Sequence, residues 1–129
     1  MLRQLRRERG QDLIEFALVL PILALLLFGI MEFGLIIFSY NTIGDAAREG
    51  ARYGAVHCPS WSTTCNLADI TTAAKKLTIG LNQASLTIPP PVVSGGTVRV
   101  VVQYQVPLIT FIVGSPSITL RAVSTMQTE

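Results

Sequence analysis

The sequence predicts an α+β fold: one long apolar helix leads into a small head with a second helix and a short antiparallel sheet. Residues 16–31 carry no charge, and residues 97–106 alternate apolar with polar side chains. Half of the 129 residues are apolar and only 14% are charged. An ordinary soluble domain carries about 25% charged residues, and disordered chains are poorer in apolar residues. Composition therefore disfavours both a soluble globule and a disordered chain.

The apolar run is long enough to cross a bilayer. A hydrocarbon core of about 30 Å requires about 20 mostly apolar helical residues. Residues 13–38 exceed that length and include only Glu15 and Glu32 as charges. We expect the helix to cover residues 11–56, with a kink at Pro21 and an outer part beyond the membrane. A buried core helix is the alternative, but the remaining chain is too short to enclose it.

The charge distribution predicts the orientation of this helix. Four arginines and one glutamate lie within residues 1–10, whereas the charges that follow the span are balanced. By the positive-inside rule, this basic leader stays in the cytoplasm and residues 57–129 form an extracytoplasmic head. A basic tail that binds nucleic acid is the alternative. The net charge of only +2 disfavours it, so no nucleic-acid partner is expected.

The outer part of the helix has a face that repeats every 3.5 residues, which is typical of a helix packed on another helix. The face consists of Ile36, Tyr40, Ile43, Ala47, Gly50 and Gly54. Its two glycines are four residues apart and allow close approach of a neighbouring backbone. Packing on the protein's own head is the alternative and does not exclude contact between subunits.

The head is predicted to contain one helix and two or three strands in an antiparallel meander. Asn66 is a helix N-cap. The apolar face of the helix comprises Leu67, Ile70, Ala74, Leu77 and Leu81. Strands are expected at residues 85–88, 97–106 and 117–126, with a turn at residues 94–96. The inner face of the central strand comprises Val98, Val100, Val102, Tyr104 and Val106. The apolar segment 107–116 is expected to cover the sheet edge or touch the membrane.

Two cysteines follow the long helix closely. Cys58 and Cys65 are separated by six residues, which does not fit the spacing of a zinc-binding pair. In an oxidising compartment they are predicted to form a local disulfide, worth about 2–3 kcal/mol. Free thiols are the alternative, and the neighbouring His57 offers no nucleophile–base pair. The sequence contains no other catalytic or metal-binding motif, so neither a cofactor nor a metal is expected.

The junction between the leader and the apolar run has a specific order: RRERG, then QDLIEF, then the helix. Taken singly, Gly10 fits a turn and Glu15 fits a side chain that reaches the headgroups. Together they resemble the processing site of type IV pilin-like proteins, where a prepilin peptidase cuts after glycine and glutamate is fifth in the mature chain. Glu15 followed by Phe16 resembles the tight-adherence (Tad, or Flp) branch. The segments GQDLIEFALVLP, AAREGARYGAV and ITLRAVSTMQTE resemble the TadE-like pseudopilins.

The resemblance implies a non-enzymatic minor pilin in the inner membrane, with a role in pilus assembly and adherence. It implies cleavage after Gly10, which makes Gln11 the new terminus, and pairing of Glu15 with the Gln11 amine of a neighbouring subunit. The implied partners are the prepilin peptidase, other pilins and the inner-membrane assembly proteins. The alternatives are an uncleaved single-pass accessory subunit of an envelope secretion complex and a secreted enzyme or binder behind a signal peptide.

Overall fold

The computed structural model describes residues 2–58, 66–108 and 117–128. In chain order they form helix α1 (Leu2–His57), helix α2 (Leu67–Lys76), a 3-10 turn (Gln83–Ser85) and four strands. The strands are β1 (Leu86–Thr87), β2 (Val92–Ser94), β3 (Thr97–Pro107) and β4 (Ser117–Gln127). The chain divides into two compact units, one up to Gly34 and one from Leu35. These elements confirm the predicted α+β class.

The first unit is helical throughout its described residues. Helix α1 begins at Leu2, so the expected start near Gln11 is wrong. The leader consists of leucine, arginine, glutamine and glutamate before Gly10, and these are good helix formers. Pro21 lies inside α1, and the kink predicted there remains a prediction. The helix ends at His57, one residue beyond the expected position.

In the second unit, helix α2 begins where the cap predicts. The Asn66 side chain accepts a hydrogen bond from the Ala68 amide at 3.1 Å. Three residues of α2 are buried: Ile70, Ala73 and Ala74. Leu67 and Leu77, which we expected on the buried face, are exposed. They are the first residue of a ten-residue helix and the residue just past its end, outside the stretch that packs.

The sheet has four strands, so the expectation of two or three is wrong. Strand β4 pairs antiparallel with β3 along all 11 residues, and β1 and β2 share the opposite edge of β3. The missed strand, β2, has three residues and follows three prolines, which leaves too little sequence for an alternating pattern. The predicted first strand shortens to Leu86–Thr87. The turn between β2 and β3 is confirmed: Gly95 and Gly96 both have positive φ, as a tight hairpin requires.

The core lies between the sheet, α2 and the part of α1 in the second unit. The predicted alternation in β3 is confirmed, because the five residues of its inner face are all buried. The buried cluster comprises Ile43, Ala46, Ala47, Ala51, Cys58, Ile70, Leu81, Val98, Val100, Val102, Tyr104 and Val106. Strand β3 runs antiparallel to α1, since Val98 lies against Gly54 and Val100 lies against Gly50.

Candidate functional site

The first candidate region is the apolar surface of α1 in the first unit. Every large apolar side chain from Leu13 to Phe33 is exposed, by 48–71%. Within the described residues, α1 is the one helix long and apolar enough to cross a membrane, as the length of the run predicted. An apolar surface this continuous is stable only against lipid or another apolar surface.

The junction residues all lie in this helix and are exposed. Gln11 and Glu15 are four residues apart, which places them on one face, one turn from each other. Phe16 is the next residue and is also exposed. From Gly10 onward, where side chains are described, none gives Glu15 a hydrogen bond or ion pair. The structure thus leaves the Glu15 carboxylate available to a cation from outside this part of the chain.

Gly10 has no packing role in the described part of the chain. A Cβ added there would meet nothing within 4 Å, and its φ is not positive. A turn was one interpretation of Gly10, but the structure has no turn there, because helix α1 continues through this residue. Glycine inside a helix costs about 1 kcal/mol relative to alanine. Neither backbone conformation nor packing explains why glycine occupies this position.

Unlike Gly10, the two glycines on the outer face of α1, Gly50 and Gly54, are closely packed. A Cβ added at Gly54 would lie 2.7 Å from Val98 Cγ1, and one at Gly50 would lie 3.1 Å from the Ala74 Cβ. Both glycines allow α1 to approach β3 and α2 closely. The 3.5-residue face therefore packs on the head of the same chain. Tyr40, predicted on that face, is 55% exposed, and Ser39 is buried instead.

Two ion pairs follow α1 on its solvent side. Arg52 donates two hydrogen bonds to the Glu49 carboxylate, at 2.9 and 2.7 Å. This contact lowers the pKa of Glu49 and raises that of Arg52. Arg48 reaches Asp45 at 3.3 Å. All four groups are within reach of water, so these pairs lie on a solvated surface.

Of the two cysteines, only Cys58 lies in the part of the chain that the structure describes. Cys58 is buried in the core cluster, whereas Cys65 lies outside the described residues, so the proposed pairing remains a prediction. The His57 ring stacks on Tyr53 at 4.0 Å between ring centroids, and its Nδ1 lies 3.0 Å from the Tyr53 carbonyl. Both the ring face and the Nδ1 atom of His57 therefore contact Tyr53. Among the described residues, no three metal-ligating side chains come together.

Sequence reasoning missed two buried polar residues, Ser39 and Thr78. The Thr78 hydroxyl donates to the Lys75 carbonyl at 2.8 Å and accepts from the Gln83 amide at 3.1 Å. These bonds hold the turn after α2. The only available signal was a threonine directly after a helix end, which is too common to predict burial.

Fold and surface together define an α+β protein with one candidate membrane helix near its N-terminus. That helix carries the similarity to a known family: residues 10–52 match the model of the family described as TadE-like protein. The match begins at Gly10, covers about a third of the chain, and confirms over that segment the resemblance found in the sequence. Comparisons with curated proteins and with solved structures gave no match.

Proposed function

We propose that the protein is a non-enzymatic minor pilin of a tight-adherence pilus system, cleaved after Gly10 by a prepilin peptidase. It resides in the inner membrane before assembly, with residues 1–10 in the cytoplasm and the head outside. Its partners are the peptidase, other pilins and the inner-membrane assembly proteins. The observation that carries this proposal is the run of exposed apolar side chains in α1 directly after the Gly10–Glu15 junction, inside the matched segment.

The surface of α1 supports two successive environments. In the bilayer, its apolar side chains contact lipid; in a filament, they contact the helices of neighbouring subunits. The two environments are about equally apolar, so the helix can pass from lipid to filament without exposing its apolar side chains to water. The basic leader opposes this transfer, because its arginines hold the N-terminus in the cytoplasm.

Cleavage after Gly10 changes the charge of the chain at the point where assembly begins. It removes four of the ten basic side chains and one of the eight acidic ones, so the net side-chain charge changes from +2 to −1. It also creates an α-amino group on Gln11. An ionised carboxylate inside an apolar bundle costs a few kcal/mol unless it is paired. The Glu15 carboxylate therefore favours the Gln11 amine of a neighbouring subunit.

Within the described residues, Gly10 has open space around it, which is compatible with recognition by a protease. Gly29 provides a matched control, since it lies in the same helix with nothing within 4 Å of an added Cβ. We expect Gly10→Leu to abolish processing and Gly29→Leu to leave it unchanged. The measurement is the intact mass of membrane-extracted protein from cells with and without the peptidase. Full-length wild-type protein in both strains would contradict cleavage.

The role of Glu15 is tested separately from cleavage. We expect Glu15→Gln to be processed and inserted into the membrane, yet to lose co-purification with the other pilins. Asp12→Asn is the matched control, because it removes a charge from the same exposed turn without removing the proposed partner of the amine. Normal surface piliation of the Glu15→Gln strain would contradict the pairing.

The second candidate is an uncleaved membrane accessory subunit of an envelope secretion complex. It is supported by the continuity of α1 across Gly10, since the leader is helical together with the span. It predicts that both wild type and Gly10→Leu keep their full length and that the substitution does not change function. The mass measurement above therefore distinguishes the two candidates.

A further inference from the structure

The turn after α2 presents an unusual apolar side chain to the surface. Ile79 is 82% exposed, the highest value among the large apolar residues that the structure describes. The turn is well held, because the neighbouring Thr78 is fully buried and hydrogen-bonded to Lys75 and Gln83. The exposure of Ile79 is therefore imposed by an ordered turn.

This turn lies at the end of the head where α1 enters it. A Cβ added at Gly80 would lie 3.7 Å from Phe38 Cζ. Phe38 is exposed and is the last residue of the apolar run that predicts the span. Phe38, Leu77 and Ile79 form the apolar end of a groove that continues along α1 past the charged residues Asp45 to Arg52. The first charged residue of α1 beyond Phe38 is Asp45, about 10 Å further along the helix axis at 1.5 Å per residue.

The end of the sheet lies at the same level. Val98 contacts Gly54, and Val100 contacts Gly50. Each step of two residues along β3 therefore matches a step of four residues toward the N-terminus of α1. Continued to the end of the strand, this relation places Val106 level with Phe38. The partner of Val106 in β4 is Ile118, another exposed apolar residue. The head therefore has an apolar rim that comprises Phe38, Leu77, Ile79 and Ile118.

We propose that this rim is a second membrane contact, in which Ile79 inserts into the headgroup boundary of the outer leaflet. Lipid is the occupant because the rim continues the exposed apolar surface of α1 at Leu35, Ile37 and Phe38. Lys75 and Lys76 precede the rim in the last turn of α2, and Lys76 also interacts electrostatically with Glu49 of α1. Apolar side chains next to lysines are the composition of an interfacial contact with anionic lipid.

The contact fixes the head against the bilayer, so the protein presents one defined face before assembly. It rests on the membrane anchoring of α1 and is independent of cleavage at Gly10. Entry into a filament then requires the rim to leave the lipid. Release of the rim thus becomes part of subunit extraction.

The test uses bromolipid quenching of a single tryptophan in the full-length, uncleaved chain. Trp61→Phe removes the native tryptophan, and Ile79→Trp introduces the probe. Val92→Trp is the matched control: Val92 is 58% exposed and pairs with Arg99, beside the Val98–Gly54 contact at the other end of the head. Each variant is reconstituted into phosphatidylcholine–phosphatidylglycerol vesicles with brominated acyl chains.

We expect quenching of the Ile79→Trp probe to be about twofold stronger than that of the control or more, since an interfacial side chain reaches about 5–10 Å into the lipid boundary. Equal, weak quenching of both probes would overturn the proposal and leave the rim to a protein partner. Failure of the chain to float with the vesicles would overturn the anchoring as well. Neither result depends on processing, so a failure here is distinct from a failure of the cleavage experiment.

Discussion

The two parts of helix α1 differ in what surrounds them. Before Gly34, the large apolar side chains are exposed, although this is the more apolar part of the sequence. After Leu35, Ile43 and Ala46 are fully buried under the sheet. One continuous helix therefore has a lipid-type surface and a core-type surface in succession. An apolar sequence thus predicts that a segment is buried, whereas the neighbouring elements decide whether the chain itself or another apolar phase covers it.

The glycines show the same contrast. Gly29 and Gly34 have open space around them, whereas Gly50 and Gly54 lie against side chains of the head. In the outer part of α1, close packing requires glycine at positions 50 and 54, whereas Gly44 has open space around it. In the inner part, any packing role of Gly29 or Gly34 requires a neighbour from outside the described residues.

The largest expected effect is the removal of a core side chain from the outer part of α1. Ile43→Ala should destabilise the head by about 2–5 kcal/mol, because it leaves a cavity at a fully buried site. Phe28→Ala, in the inner part, should leave the head unchanged. Hydrogen exchange of the β3 amides in detergent reports the free energy of head opening. Equal protection in the two variants would contradict the division of α1.

A smaller loss is expected from overpacking at the close approach. Gly54→Leu should destabilise the head by about 1–3 kcal/mol, since even a Cβ lies 2.7 Å from Val98 Cγ1. Gly29→Leu is the matched substitution in open space. The same exchange experiment applies, and a Gly54→Leu head as stable as wild type would show that β3 yields at this contact.

Loss of the α2 cap should cost about 1 kcal/mol. Asn66→Ala removes the acceptor of the Ala68 amide and leaves that donor without its cap. The loss should appear in α2 and the head, and not in the inner part of α1. Asn41→Ala is the control, because it replaces an exposed asparagine of α1 that does not cap a helix. A uniform loss of protection along the whole chain would contradict a local role.

The smallest effect is expected at the ion pair of Glu49 and Arg52. Because the hydrogen bond from Arg52 lowers the pKa of Glu49 below its ordinary 4.5, the pair stabilises the folded head above that pH. The contribution disappears as the pH falls through the lowered pKa. Arg52→Gln should therefore be slightly less stable than wild type at pH 7 and equal to it in strong acid. Thermal melting across this range checks the sign, with Arg48→Gln as the control.

Sequence reasoning succeeded where a pattern is local. The Asn66 cap, the turn at Gly95 and Gly96, and the alternation of β3 are all confirmed. It failed where an element was too short to show a period, as with β2. It failed also at Tyr40, because a 3.5-residue repeat fits neighbouring positions almost equally well, and the sheet selected Ser39. Of the candidate site, the exposed apolar helix was predictable, whereas the apolar rim of the head was not.

Composition and local spacing are enough to predict the membrane-length helix, the Gly10–Glu15 junction and the class of the fold. These features depend on composition and on spacings within a few residues, which act through helix geometry and hydropathy alone. Three other features are visible only in the folded chain: Gly54 contacts Val98, β1 and β2 share one edge of β3, and the Gly80 turn lies against Phe38. Those contacts join residues far apart in the chain, so they depend on the shape of the packed core and not on any local pattern.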